Sequence, residues 1–133
     1  MKFQKVYTLE EIANIINCEY VGDANFPVSG MNEIHVVESG DIVFVDHPKY
    51  YEKALNSAAT IVLINKNVAC PDGKALLISE DPFRDFNKLT NYFKPFQFSK
   101  ASIATSASIG EGTVIQPNTF VGNHVVIGKN CLI

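Results

Sequence analysis

The stretch IATSAS IGEGTV IQPNTF VGNHVV IGKNCL I, residues 103–133, decides how this chain is read. An aliphatic side chain returns at every sixth position, at Ile103, Ile109, Ile115, Val121, Ile127 and Ile133. Gly follows it at 110, 122 and 128, while Ala104 and Gln116 take the other two places. Four positions after each aliphatic stands a compact residue: Ala107, Thr113, Thr119, Val125 and Cys131. A period of six fits neither the 3.6 of an α-helix nor the 2 of a half-buried strand. It fits a parallel β-helix in which the aliphatic points to the axis and the adjacent Gly permits a tight corner without a Cβ. A solenoid turn cannot bury its own apolar face, so further turns and a polar cap are expected. The sequence stops instead on a core position, Ile133, which predicts the truncated start of a longer β-helix in residues 100–133.

Upstream, residues 1–99 read as an α+β domain, a small mixed sheet flanked by helices. Thr8 and Glu11 form a capping box, with Tyr7 and Ile12 as its hydrophobic staple. The helix that follows carries Leu9, Ile12, Ala13 and Ile16 on one face, and Asn17 suits its left-handed end. Short strands are expected at Glu19–Val21, Val28–Met31 and, after Ser39-Gly40, Asp41–Val45. Pro48 stops that last strand and opens a helix over about 48–57. Strands at Ala59–Ile64 and Ala75–Ser79 flank a loop with a Pro71-Asp72-Gly73 turn. Asp81 caps a helix from Pro82 that carries Phe83, Phe86, Leu89, Tyr92 and Phe93 and stops at Pro95.

Composition narrows the function. Apolar residues make up 47% of the chain and its net charge is −3, with no basic run to hold a nucleic acid. Cys18, Cys70 and Cys131 are odd in number, far apart and without metal-ligand spacing. They read as free thiols of a reducing cytosol, and neither a disulfide framework nor a zinc site is expected. Charged residues interrupt the N-terminal segment, so it is no signal peptide. The longest apolar run, Thr60–Ile64 with its Ala neighbours, is far below the roughly 20 residues of a membrane span. The chain is therefore expected to be soluble and cytoplasmic.

Phe44-Val45-Asp46-His47-Pro48-Lys49-Tyr50-Tyr51 is the most informative short segment. It joins a strand end to a helix start, where ligands of open sheets and anions settle. A ring at Phe44 can stack on a base, and His47 and Tyr50 can hydrogen-bond its edge. The same aromatic residues also suit an ordinary core. His124 reads as a histidine of a repeat edge and not as a base, since no carboxylate dyad accompanies it, and His35 receives no role. Gly110-Glu111-Gly112 lacks the Lys and Ser/Thr of a phosphate loop.

Five segments occur in a familiar order ahead of the hexads: Tyr7-Thr8-Leu9-Glu10-Glu11-Ile12-Ala13, Glu19-Tyr20-Val21-Gly22-Asp23, Ser39-Gly40-Asp41-Ile42-Val43-Phe44, Pro48-Lys49-Tyr50 and Asp81-Pro82-Phe83. Together they resemble the bacterial UDP-3-O-acylglucosamine N-acyltransferases of lipid A synthesis. The resemblance implies a uridine-binding domain followed by the first turns of a left-handed parallel β-helix; the handedness comes from the family alone. It implies transfer of a 3-hydroxyacyl chain from the phosphopantetheine thioester of acyl carrier protein to the 2-amine of UDP-3-O-acylglucosamine. No other cofactor and no metal is implied, and the family works as a homotrimer. The catalytic histidine belongs to a later coil, so no catalytic residue is expected before Ile133. Phe44 and Tyr50 match the family's two uracil-contacting aromatic positions. His47 stands where Asn is common, and an imidazole cannot offer an amide's donor and acceptor from one planar group. Two other functions are open: a non-catalytic nucleotide-binding or assembly module on a β-helix scaffold, and an amino-acid ligase of cell-wall synthesis. The hexads, standing where such a ligase continues into a phosphate loop, argue against the second.

Overall fold

Residues 2–8 form a strand, β1 (Lys2–Thr8), which the sequence reading leaves out. A computed structural model describes residues 1–133, and the chain divides into two units, Met1–Lys94 and Pro95–Ile133. β1 is an edge strand whose pairing with the rest of the sheet slips between Lys2 and Tyr7. Its period-2 signal is weak because only Phe3 and Tyr7 pack inward, with the exposed Lys5 between them. Both rings meet Phe93, Phe3 stacked at 3.9 Å and Tyr7 edge-on at 5.0 Å.

The first unit continues through α1 (Leu9–Ile16), β2 (Glu19–Val21), β3 (Pro27–Met31), β4 (Asp41–Val45), α2 (Tyr51–Leu55), β5 (Ile61–Ile64), β6 (Ala75–Ile78) and α3 (Pro82–Phe93). The strands form one six-stranded sheet in the order β1-β3-β4-β5-β6-β2. β3 to β6 run parallel, while β1 and β2 close the edges antiparallel. The expected small mixed sheet with flanking helices is thus the architecture of this unit. Thr8 makes the capping box with Glu11, and Asn17 ends α1 at φ 56°. Asp81 caps α3 by accepting from the Arg84 N–H at 2.9 Å.

Alternation along the parallel strands makes two apolar layers. Ile42, Ile61, Leu63, Ala75 and Leu77 face α1 and α3, meeting Leu9, Ile12, Ile16 and Leu89. Val43, Val45, Val62, Ile64 and Leu76 fill the opposite face with Ala54 of α2. Every residue of β5 is fully buried, as a continuous apolar run covered on both faces requires. Each such Val, Ile or Leu contributes roughly 1.5–3 kcal/mol.

Strand β3 starts one residue before expectation, at Pro27, and β6 ends one residue short, at Ile78; two starts differ by more. The helix expected over 48–57 starts as a 3-10 turn at Pro48–Tyr50 and is α-helical only over α2. Tyr50 N–H bonds back three residues to the His47 carbonyl, and the Ser57 hydroxyl donates to the Ala54 carbonyl at the far end. The strand expected from Ala59 begins at Ile61, because the Ala59 carbonyl and amide are already bonded to Lys74 Nζ and Ser57 Oγ.

In the second unit the pairing residues stand eighteen apart, three hexads per lap, and all pairs are parallel. Two short strands, β7 (Ser108–Ile109) and β8 (Val126–Ile127), pair with each other, and isolated bridges join Ile103 to Val121 and Val114 to Leu132. Val121 is 3% exposed, while Ile103 and Ile133, at the two ends of the run, are 42% and 44% exposed. The corners are not at the Gly beside the aliphatic. Left-handed φ recurs three residues after it, at Gly112 (74°), Asn118 (66°), His124 (59°) and Asn130 (54°). Asn tolerates that region better than other residues with a side chain, and His124 is a corner residue. Gly110 serves close approach instead: a Cβ there would lie 2.5 Å from the Gly128 carbonyl carbon of the lap stacked on it. No helix of the chain is long and apolar enough to cross a membrane.

Candidate functional site

Ligands of open parallel sheets settle beyond the carboxyl ends of the strands, and a cleft of ≈ 400 Å³ lies there in the first unit. Val43, Phe44, Val45 and Asp46 of β4 and its exit form one side, Tyr50 and Lys53 another, and Asn32–His35 the opposing wall. Of the residues expected to contact a base, Phe44 and Tyr50 line this cleft. His47 is not among its lining residues, although its ring centroid lies 5.9 Å from that of Tyr50.

Phe44 is half-buried and leans on α3, 4.9 Å from Phe86 and 5.8 Å from Phe83 between ring centroids. It is thus a packing residue of the α1–α3 layer as well as a cleft residue. Tyr50, by contrast, is 49% exposed. The turn carrying it is pinned from two sides. His47 Nδ1 accepts from the Lys49 backbone N–H at 3.2 Å and caps the 3-10 turn. Asn65, just past β5, donates from Nδ2 to the Asp46 carbonyl at 2.8 Å and accepts from the Tyr51 hydroxyl at 2.5 Å. The Lys49 ammonium lies 5.7 Å from the Tyr50 ring centroid.

Asp41, at the start of β4, holds the opposing wall. Its fully buried carboxylate accepts from Asn32 Nδ2 at 2.9 Å, from the Glu38 N–H at 3.0 Å and from Lys2 Nζ at 3.0 Å. Burial alone would raise its pKa, but these donors outweigh it and hold the carboxyl below its ordinary value. Asn32 Oδ1 in turn accepts from the amino terminus at 2.6 Å. The other polar residues lining the cleft are Glu33, His35, Asp46, Tyr50 and Lys53.

Sequence reasoning does not single out Asn32–His35, Asp46 or Lys53 as site residues, and it gives His35 no role. The signal for them is topological: the loop after β3 leaves the carboxyl end of a strand parallel to β4.

A second cavity, ≈ 780 Å³, opens between the end of α1, the end of β6 and the first turns of α3. Its buried groups satisfy one another. The Ser79 hydroxyl donates to Asp85 at 2.5 Å, and Arg84 grips the same carboxylate through Nε and a terminal nitrogen at 3.0 and 3.3 Å. Burial, with the charges of Asp85 and Glu19, pushes the Cys18 thiol on its wall up to about 12, which disfavours the reactive thiolate. No group of three or more His, Cys, Asp or Glu side chains that could hold a metal ion occurs in the structure.

Residues 25–92, which carry the whole cleft, match the family model described as UDP-3-O-(3-hydroxymyristoyl) glucosamine N-acyltransferase. Curated relatives named UDP-3-O-acylglucosamine N-acyltransferase align over nearly all of the chain. That of Ruthia magnifica subsp. Calyptogena magnifica is 33% identical over 128 residues, 95% of this chain and 38% of the relative. That of Acinetobacter baylyi is 28% identical over 129 residues, 96% of this chain and 36% of the relative. That of Lawsonia intracellularis is 32% identical over 130 residues, 93% and 38% respectively. The chain therefore spans little more than a third of the length of these relatives.

Proposed function

Because the chain belongs to the UDP-3-O-(3-hydroxymyristoyl) glucosamine N-acyltransferase family, we propose that its first unit binds the uridine end of a UDP-linked glucosamine, in the cleft between β4 and Asn32–His35. The observation that carries this reading is the placement of Phe44 and Tyr50 on one cleft beyond the carboxyl end of β4. The uracil lies against these two rings, and His47, outside the lining but 5.9 Å from the Tyr50 ring centroid, is the neighbour nominated for the base edge. With Nδ1 occupied by the Lys49 N–H, His47 offers a donor at Nε2.

The whole protein, on this reading, transfers a 3-hydroxyacyl chain from acyl carrier protein to the 2-amine of UDP-3-O-acylglucosamine, a step of lipid A synthesis in the cytoplasm. The acyl group arrives as a phosphopantetheine thioester, and no further cofactor is required. The amine attacks the thioester carbonyl, a base removes its proton and the thiolate departs. No residue here is assigned as that base. His124 is an exposed corner residue whose Nε2 lies 3.3 Å from Gln97 Oε1, with no carboxylate partner.

Residues 100–133 are, in the same proposal, the opening of a left-handed parallel β-helix. Parallel pairing every eighteen residues and positive-φ corners every six support a β-helix, and its handedness rests on the family alone. The side chains just before the aliphatic column, Val114, Phe120, Val126 and Leu132, are 55–79% exposed. Such a column suits subunit packing in a homotrimer.

Titration with UDP followed by backbone NMR tests the uridine reading. Amides of Asn32–His35 and Phe44–Lys53 should shift. Millimolar UDP that moves none of them would sink the assignment and favour a module that only decorates a scaffold.

A further inference from the structure

We infer that Lys53 is the phosphate-contacting residue of the cleft, an inference that rests on the uridine reading above. A nucleoside diphosphate brings a flat base, a ribose diol and a cluster of negative charge. Phe44 and Tyr50 offer surfaces for the base, but neither meets the charge. Among the residues lining the cleft, Lys53 is the one Lys or Arg. The ion pairs of the protein engage Lys2, Lys5, Arg84 and Lys129, and none engages Lys53. Its three donors are therefore uncommitted. It stands three residues after Tyr50 on the continuous 3-10 and α2 turn, the spacing that sets two side chains on one helical side. The cation thus shares a wall with the exposed ring.

The other charged groups of the lining sharpen this assignment. Glu33 and Asp46 are carboxylates; they repel phosphate and accept hydrogen bonds from hydroxyls, so they suit the ribose diol. Of the charged side chains lining the cleft, Lys53 is the one that attracts a phosphate. Arg84 in the second cavity offers no rival, since its guanidinium is already gripped by Asp85. Lys53 is an exposed side chain, so its contribution must fall as salt rises.

Calorimetric titration of the protein with uridine and with UDP, at low and high ionic strength, tests the assignment. Lys53→Gln should weaken UDP binding about three- to tenfold at low salt, the range of one exposed charge-assisted contact. Uridine binding should stay within about twofold of wild type, and the salt dependence of UDP binding should shrink. Lys88→Gln, the same charge change on α3, should leave both ligands unaffected. Equal weakening of uridine and UDP, no change for either, or the same effect from Lys88→Gln would overturn the role of Lys53. A wild-type protein that binds uridine no more weakly than UDP overturns Lys53 and leaves the uridine reading standing. One that binds neither ligand brings down the uridine reading itself.

Discussion

His47 Nδ1 accepts a hydrogen bond from the Lys49 backbone N–H at 3.2 Å, so the residue beside Tyr50 caps a turn with one nitrogen and is left with the other. The capping bond requires Nδ1 unprotonated, and a neutral ring then carries its proton on Nε2. One donor is available to a ligand, with no acceptor beside it.

Asn is also a good cap and would supply an amide donor and acceptor together. His47→Asn should therefore raise uridine affinity about twofold to fivefold at unchanged melting temperature, one added neutral hydrogen bond being worth up to about 1 kcal/mol. His47→Ala removes the cap and should cost about 0.5–2 kcal/mol of stability as well as affinity. Calorimetric titration with thermal unfolding of the same samples checks both.

Phe44 and Tyr50 should separate cleanly in mutagenesis. Tyr50 is 49% exposed, so Tyr50→Ala should leave stability within about 0.5 kcal/mol and weaken uridine binding about tenfold, the loss of one stacking ring. Phe44 packs on Phe83 and Phe86, so Phe44→Ala should destabilise by about 3 kcal/mol besides weakening binding. Phe44→Leu keeps the volume without the flat ring and should fold well yet bind poorly. Urea unfolding and uridine titration of the three variants distinguish these effects.

Gly110 and Gly122 occupy the same hexad position but not the same surroundings. A Cβ on Gly110 would meet Gly128 backbone at 2.5 Å, whereas one on Gly122 finds only the Phe120 and Val125 side chains, at 3.6 and 3.9 Å. Gly110→Ala should cost about 1–3 kcal/mol of overpacking, and Gly122→Ala should stay within about 0.5 kcal/mol. Hydrogen exchange of the amides in residues 108–132 reads the difference, with loss of protection confined to Gly110→Ala.

Asp41 predicts a specific acid sensitivity. Its folded-state pKa lies below the ordinary value, held there by Asn32, Lys2 and the Glu38 N–H against the opposing effect of burial. The linked stability is present above the unfolded pKa of about 3.9 and is lost as pH falls through the lower folded value. Asp41→Asn should be less stable at pH 7 by about 1–3 kcal/mol and should lose less on acidification below about pH 4. Because Asp41 anchors the wall containing Asn32, uridine binding should weaken too. Chemical unfolding across pH 2–7 separates wild type from variant.

Signals confined to a few neighbouring residues are legible in the amino-acid sequence alone. Thr8 and Glu11 cap α1 as a pair three residues apart, Asn17 ends it in the left-handed region, and Asp81-Pro82 opens α3. The period of six is equally plain, because one aliphatic column is written at every turn of the repeat. Freedom of φ predicts Gly beside the aliphatic as the corner residue, yet the corners belong to Gly112, Asn118, His124 and Asn130. Gly110 answers to a different demand, the backbone of residue 128 lying against it.

The sequence by itself thus determined the helix ends, the apolar strands, the six-residue period and the aromatic segment Phe44–Tyr51, because each depends on interactions within about one turn or one strand. Only the tertiary structure decided that β1 completes the sheet edge, through Phe3 and Tyr7 meeting Phe93 some ninety residues on. It alone brought Asn32–His35 across from Phe44 and Tyr50, through β3 pairing parallel to β4 and Asp41 fastening Asn32. A wall built from strand order and a buried carboxylate has no local signature, since the residues that fix it are separated along the chain and meet only when the sheet has formed.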